Sequence, residues 1–524
     1  MNSQSNGQQT NPNNSKKRTD IHQKMTMFRN KTRRDMHRAR IDNIRSRNMN
    51  SQIGNLEFKK EMSHLENNTL KDKLLPKLHH WNNIPVDINH LSSFLQDIAK
   101  NDIMDQHRGI IGIRRILCEH KEIPIQVIID QNAVPRIIEF TQQENQKHLQ
   151  LEATWTLANL ASGTSEQTRC LIQKNVINVF TTIAQSPYSQ IVEQAIWGLG
   201  NISGDCIEFR NLILKSETPK ILMNVYNKFI DNPTIIGHIT WVFSNLCRIR
   251  NEREHFMSIL RDIVGNLIST FTYNNNLNIL DDCLMGFCKY VKGKYVPLFI
   301  GDNFIFKLRQ YYSSLFTDFQ VNIQKISAVN TIVGGITSSE DVYTDKIIKV
   351  NFLEDMTKLL ATDNDQIHRE ICWIASNIAI GTEEQIRALL SEEGLLDKIF
   401  QFAFSDCEEL SKEAVWSICN LTKTTLEGNI AILFEKGILD LFKHFLSEDT
   451  EVKRIILIME GLIQLTSYFE TKGPEQKAIF INNLLEKGIG EQLEAFQTHA
   501  SDMVYLKALY ILETHFTLED EEIC

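Results

Sequence analysis

The chain has 524 residues, more than one compact core accommodates, and its 42% hydrophobic and 8% aromatic content is an ordinary globular mixture. No apolar run approaches the roughly 18 residues of a membrane span, and the polar N-terminus is no secretory signal. Ten scattered cysteines without a Cys-x-x-Cys pair read as reduced thiols of a cytosolic or nuclear protein. The net charge of −9 conceals a division: residues 1–50 hold 12 Lys/Arg against three Asp, while the remainder holds 44 basic and 62 acidic residues. A basic arm on an acidic body predicts two partners of opposite sign.

Residues 1–15, rich in Asn, Gln and Ser, are expected to be disordered. From Lys16 to Asn48 the arm carries Arg29, Lys31, Arg33, Arg34, Arg38, Arg40, Arg45 and Arg47, with Met36, Ile41 and Ile44 among them. On its residues alone it reads as a nucleic-acid-binding tail, a localisation signal, or a helix that folds on a partner. Residues 49–85 read as a flexible linker in which Lys59-Lys60 is flanked by acids. His79-His80 has no companion ligands there, and neither a metal nor a cofactor is expected. The repeats are predicted to start near Pro85-Val86-Asp87 and to run to residue 515.

The next stretch is written twice. Gln150–Thr164 places Trp155, Asn159 and Gly163 at four-residue steps, and Glu193–Asp205 contains Trp197, Asn201 and Gly204. Positions four apart share a helix face, so each Trp stands over its Asn. The glycines fall where left-handed helix caps are expected. Trp241/Asn245, Trp373/Asn377 and Trp416/Asn420 repeat the pairing, with steps of 42, 44 and 43 residues between neighbouring tryptophans. The 132 residues from Trp241 to Trp373 make three steps of 44. Such a period predicts an all-α solenoid of armadillo or HEAT type. A row of carboxamides on one face can hold a peptide backbone, and neighbouring indoles make slots for the stems and charges of Lys or Arg.

These rungs, and Ala158–Thr168 (Ala-Asn-Leu-Ala-Ser-Gly-Thr-Ser-Glu-Gln-Thr), resemble importin alpha, the adaptor that recognises nuclear localisation signals. The resemblance covers nearly the whole chain from about Met27. It implies a right-handed superhelical armadillo solenoid of about ten repeats. It also implies that the basic arm, residues 16–48, binds importin beta, with cargo in the Trp/Asn groove. Its major site would comprise Trp155, Asn159, Gly163, Thr168, Trp197, Asn201, Asp205, Trp241, Asn245 and Asp282, with Gly163, Thr168 and Asp205 gripping a key lysine. Its minor site would comprise Val333, Glu370, Trp373, Asn377, Glu413, Trp416 and Asn420.

The middle departs from the family pattern. Met285 stands at a Trp position, Lys289 at a Tyr position, Ser327 and Thr331 at Arg and Asn positions, and Glu340 at a Thr position. The resemblance further implies that the terminal repeat and the acidic tail, residues 516–524, meet an export receptor of the CAS type. The adaptor would then shuttle between cytoplasm and nucleus and touch the nuclear pore only indirectly, without binding membrane or nucleic acid. No phosphate-binding loop, His-Glu-x-x-His or Gly-x-Ser-x-Gly is present, so no catalysis is expected. The alternative is a catenin-like cytoplasmic armadillo scaffold, which needs neither the paired rungs nor the basic arm.

Overall fold

The computed structural model describes residues 77–120, 123–248 and 256–516. The whole basic arm, Lys59-Lys60 and the acidic tail beyond residue 516 lie outside them. Among the described residues every regular element is a helix. The chain divides into two units at Ile259/Leu260.

In the first unit a helical stretch over 77–83 and α1 (Leu91–Ala99) lead into α2 (Ile103–Glu119). The Asp102 carboxylate caps α2, accepting from the backbone N–H groups of Met104 and Asp105. Three further layers follow: α3 (Ile125–Asp130), α4 (Val134–Thr141) and α5 (Lys147–Leu160); α6 (Ser165–Gln173), α7 (Val176–Ile183) and α8 (Ser189–Asp205); α9 (Ile207–Lys215), α10 (Thr218–Lys228) and α11 (Pro233–Leu246). The last helices of the layers, α2, α5, α8 and α11, stack on one another, while α1, α4, α7 and α10 form a second row. Ile191, Val192, Ala195, Ile196, Leu199 and Ile202 of α8 are fully buried. A helix apolar on so many sides is stable only between neighbours, each buried Val, Leu or Ile contributing roughly 1.5–3 kcal/mol.

The expected linker ends earlier than predicted. Arg115 Nη1 donates to the Trp81 carbonyl at 2.8 Å and also to that of Ile84. Residues 77–83 are thereby fastened to α2, so the stack begins there and not at residue 86.

The second unit opens on α12 (Met257–Tyr273), which starts just before the division, and α13 (Leu277–Phe287). Then come α14 (Asp302–Ser314) and α15 (Phe319–Thr337), followed by the layers α16 (Asp341–Lys349), α17 (Phe352–Leu359) and α18 (Asp365–Ile378), and α19 (Glu383–Ser391), α20 (Leu395–Ala403) and α21 (Glu408–Leu421). The last two layers are α22 (Glu427–Glu435), α23 (Ile438–Phe445) and α24 (Val452–Thr471), then α25 (Pro474–Glu486), α26 (Ile489–Ala495) and α27 (Asp502–Ile511). Here α15, α18, α21, α24 and α27 form the continuous row. Where the Trp pattern lapses, Phe271, Phe287, Phe299, Phe304 and Tyr311 build an aromatic core with ring centroids 5.4–5.7 Å apart. Among the described residues there are thus four layers in the first unit and six in the second, matching the expected all-α armadillo architecture.

The left-handed residues are not where the sequence placed them. Gly163 and Gly204 have no positive φ; α5 closes through Ala161 in right-handed geometry, and α8 runs on through Gly204 to Asp205. The left-handed residue instead joins the first helix of a layer to its second: Asn175 (φ 63) before α7, Asn351 (φ 60) before α17, Gly394 (φ 79) before α20 and Gly437 (φ 85) before α23. Gly tolerates that geometry because it has no Cβ to be forced against the backbone, and Asn because its short polar side chain can bond locally. A Cβ on Gly437 would meet nothing closer than Asp440 Oδ2 at 3.6 Å, so only the backbone strain opposes substitution. Gly437→Ala is expected to cost about 1–2 kcal/mol and lower the unfolding midpoint by about 2–4 °C in scanning fluorimetry. An unchanged midpoint would contradict this turn geometry.

Candidate functional site

The rungs of the first unit lie on the continuous row α5, α8 and α11. Their asparagines are not the solvated ladder that the sequence suggests. Asn159, Asn201 and Asn245 are at most 1% exposed. Each side-chain NH2 reaches back one layer: Asn159 Nδ2 to Cys118 Sγ at 3.2 Å, Asn201 Nδ2 to the Ala158 carbonyl at 2.9 Å, and Asn245 Nδ2 to the Gly200 carbonyl at 3.2 Å. These donors tie neighbouring layers together. The three Oδ1 atoms are buried and have no hydrogen-bond partner among the described residues.

The indoles are also deeper than expected. Trp197 is 0% and Trp241 2% exposed, while Trp155 is half-buried. Trp241 lies on Gly200, where a Cβ would come within 2.1 Å of its ring. Close backbone approach at that glycine draws the ring inward. The Nε1 donors of Trp155 and Trp197 are buried without a partner among the described residues. The row therefore holds acceptors and donors together, the kinds of group with which an extended peptide backbone pairs.

The acids complete it. On α8, Glu193, Trp197, Asn201 and Asp205 follow one another at four-residue steps along one stripe. Asp205 Oδ1 accepts from Ser165 Oγ at 2.6 Å, which brings it to the start of α6 just beyond Gly163. Thr168 on α6 is buried, its Oγ1 3.5 Å from the Ala161 carbonyl. Glu193, four residues before Trp197, joins this stripe in addition to the residues expected from the sequence. Burial pushes its carboxyl up to about 7.

The second unit repeats the bonding. Asn377 Nδ2 donates to the Gly334 carbonyl at 3.2 Å and to Thr337 Oγ1 at 3.4 Å, as Asn245 does to Gly200 and Ser203. Asn420 Nδ2 donates to the Ser376 carbonyl at 3.1 Å. Trp373 is half-buried on Gly334, and Trp416 is 46% exposed. Glu370 Oε1 accepts from Ser327 Oγ at 2.5 Å and Gln366 Nε2 at 3.0 Å, and its Oε2 from Asn330 Nδ2 at 3.0 Å. Burial pushes the Glu413 carboxyl up, while Arg369 and Lys412 pull it down.

Three expectations for this unit need correction. Val333 is buried in α15, two residues before Gly335. By the Asn377 bond, Gly335 occupies the Asn position and exposed Thr331 the Trp position, one helical turn from the sequence alignment. Asp282, grouped with the first-unit rungs, is buried on α13 of the second unit. Met285, Lys289 and Glu340 are exposed. Among the described residues no cluster of His, Cys, Asp and Glu has the makings of a metal site, and no helix is long and apolar enough to cross a membrane.

The armadillo/beta-catenin-like repeat family model matches residues 121–162 and 164–204. Importin subunit alpha-1a of Oryza sativa subsp. japonica is 29% identical over 83% of this chain and 82% of its own length. Importin subunit alpha-1b of the same plant is 26% identical over 57% of this chain, a match that spans about half (54%) of that relative. Importin subunit alpha-2 of Arabidopsis thaliana is 32% identical over 31% of this chain and 30% of its own length. Among solved structures, an engineered protein superposes with a TM-score of 0.61 at 18% identity, over 82% of this chain and all (100%) of its own. A chain from a study of cadherin and beta-catenin gives 0.54 at 13%, over 84% of this chain and 97% of its own. Both share the fold. The curated homologues of this chain are thus importin alpha subunits, and its repeats are of armadillo type.

Proposed function

We propose that this chain is a nuclear import adaptor that holds a basic nuclear localisation signal along the α5–α8–α11 face. Its basic arm, residues 16–48, would couple the cargo to importin beta. The reading rests on one observation: buried acceptors of Asn159, Asn201 and Asn245, without a partner among the described residues, share their row with the carboxylates of Glu193 and Asp205. A peptide backbone supplies N–H donors to those acceptors, and lysine side chains supply ammonium groups that the carboxylates attract. The Trp373/Asn377 and Trp416/Asn420 rungs, with Glu370 and Glu413, would take a smaller basic cluster. The last repeats would meet the export receptor that returns the adaptor to the cytoplasm.

Glu193 gives a test. Its folded value of about 7 stands above the ordinary 4.5, so between these values the folded chain keeps a proton that the unfolded chain has released. Stability contributed by the protonated form is complete below 4.5 and is lost as pH rises through about 7. A lysine ammonium set beside Glu193 lowers its pKa again. Titration calorimetry at about pH 6, in buffers of different ionisation enthalpy, should therefore show a proton released on binding of a Lys-rich peptide. Binding without proton release would remove Glu193 from the site, and no binding at all would defeat the adaptor reading.

A further inference from the structure

We propose that Arg114 is a resident cation that closes the first rung, so that the basic track ends at Trp155. This rests on the peptide-binding reading above and adds the length of sequence that the face reads.

Arg114 on α2 is 8% exposed and lies flat against the next layer, its guanidinium carbon 4.6 Å from the Trp155 ring centre. Its Nε donates to Glu152 Oε2 at 2.7 Å, and its Nη2 donates to Asn82 Oδ1. Glu152 is itself 4% exposed. The three features that would recruit a cargo cation at this rung, an indole face, a buried carboxylate and a side-chain carbonyl, are thus already engaged by the chain's own arginine. Arginine suits the place because its planar fork pairs with a carboxylate while its face stacks on an aromatic ring. A lysine or arginine arriving from a peptide finds that side of Trp155 covered and the charge of Glu152 met. On the next helix of the row Gln194 holds the position of Glu152, and its neighbour Glu193 has no cation among the causes that set its pKa. The two rungs therefore treat a basic ligand differently: α8 attracts it, whereas α5 stops it.

The test uses the full chain and three fluorescent peptides: a Lys-rich core, and the same core with one extra Arg at its N-terminal or C-terminal end. Wild type is expected to bind all three within about twofold of one another. Arg114→Met keeps bulk beside Trp155 but frees Glu152 and the ring face, so one extended peptide should then bind at least about fivefold more tightly than the core. Arg114→Gln, whose amide still donates to Glu152, reads the same gain should the methionine variant fail to fold. Arg114→Lys, which restores a cation, should abolish it. If neither neutral variant distinguishes the extended peptides from the core, or wild type already prefers one of them fivefold, Arg114 sets no boundary. Failure of wild type to bind the core at all would overturn the peptide-binding reading together with this proposal.

Discussion

Asp205→Asn is expected to lower the affinity for a lysine-rich peptide at least about tenfold, roughly 1.4 kcal/mol, in a fluorescence-anisotropy titration. The substitution is nearly isosteric, and an asparagine Oδ1 still accepts from Ser165 Oγ as the aspartate does at 2.6 Å. Only the charge is removed. A hydrogen bond between an ammonium and a carboxylate is typically worth about 1.5–3 kcal/mol, more than a neutral one. The effect should weaken with salt, since the carboxylate is only half-buried and remains open to screening. Equal affinity of variant and wild type would place the lysine contact elsewhere.

Gly334→Ala should damage the second unit more than an added methyl ordinarily does. Its Cβ would lie 2.0 Å from Trp373 Cζ3 and 2.4 Å from Cη2, distances at which the ring must shift. The Asn377 bond to the Gly334 carbonyl is held in the same place and would be strained with it. Overpacking of this kind costs about 1–3 kcal/mol. The expected readout is an unfolding midpoint about 2–10 °C lower, with Trp373 fluorescence shifted as the ring leaves its seat. Gly200→Ala should do the same through Trp241, whose ring stands 2.1 Å from the corresponding Cβ. A wild-type midpoint and spectrum would mean that the rings do not rest on these glycines.

The architecture was legible because its signal is periodic. Five Trp-x-x-x-Asn pairs at nearly constant steps report the layer spacing directly, and the apolar third helices leave no room for strands. The depth of the side chains was not legible. Spacing assigns Asn201 to the Trp197 face, yet says nothing of the Ala158 carbonyl that reaches it from the preceding layer. The slip in α15 has a similar origin. Residues one turn apart share a face, so an alignment carried by Ser327, Thr331 and Val333 satisfies the same pattern as one carried by Thr331 and Gly335. The Asn377 bond to the Gly334 carbonyl and the seat of Trp373 on Gly334 separate them. The turn residues were within reach: Asn351, Gly394 and Gly437 recur at 43-residue steps, and each opens a short apolar helix. They were overshadowed by Gly163 and Gly204, which sit beside the more conspicuous Trp and Asn.

The central claim is that α5 and α8 present a track for an extended basic peptide. It is tested most directly by a lysine-rich peptide carrying a photo-crosslinker at its middle residue, with the labelled residues located by mass spectrometry. Labels clustered between Trp155 and Asp205, and competed away by unlabelled peptide, are the predicted result. Labels confined to the second-helix row of α4, α7 and α10, or no competed labels at all, would contradict it.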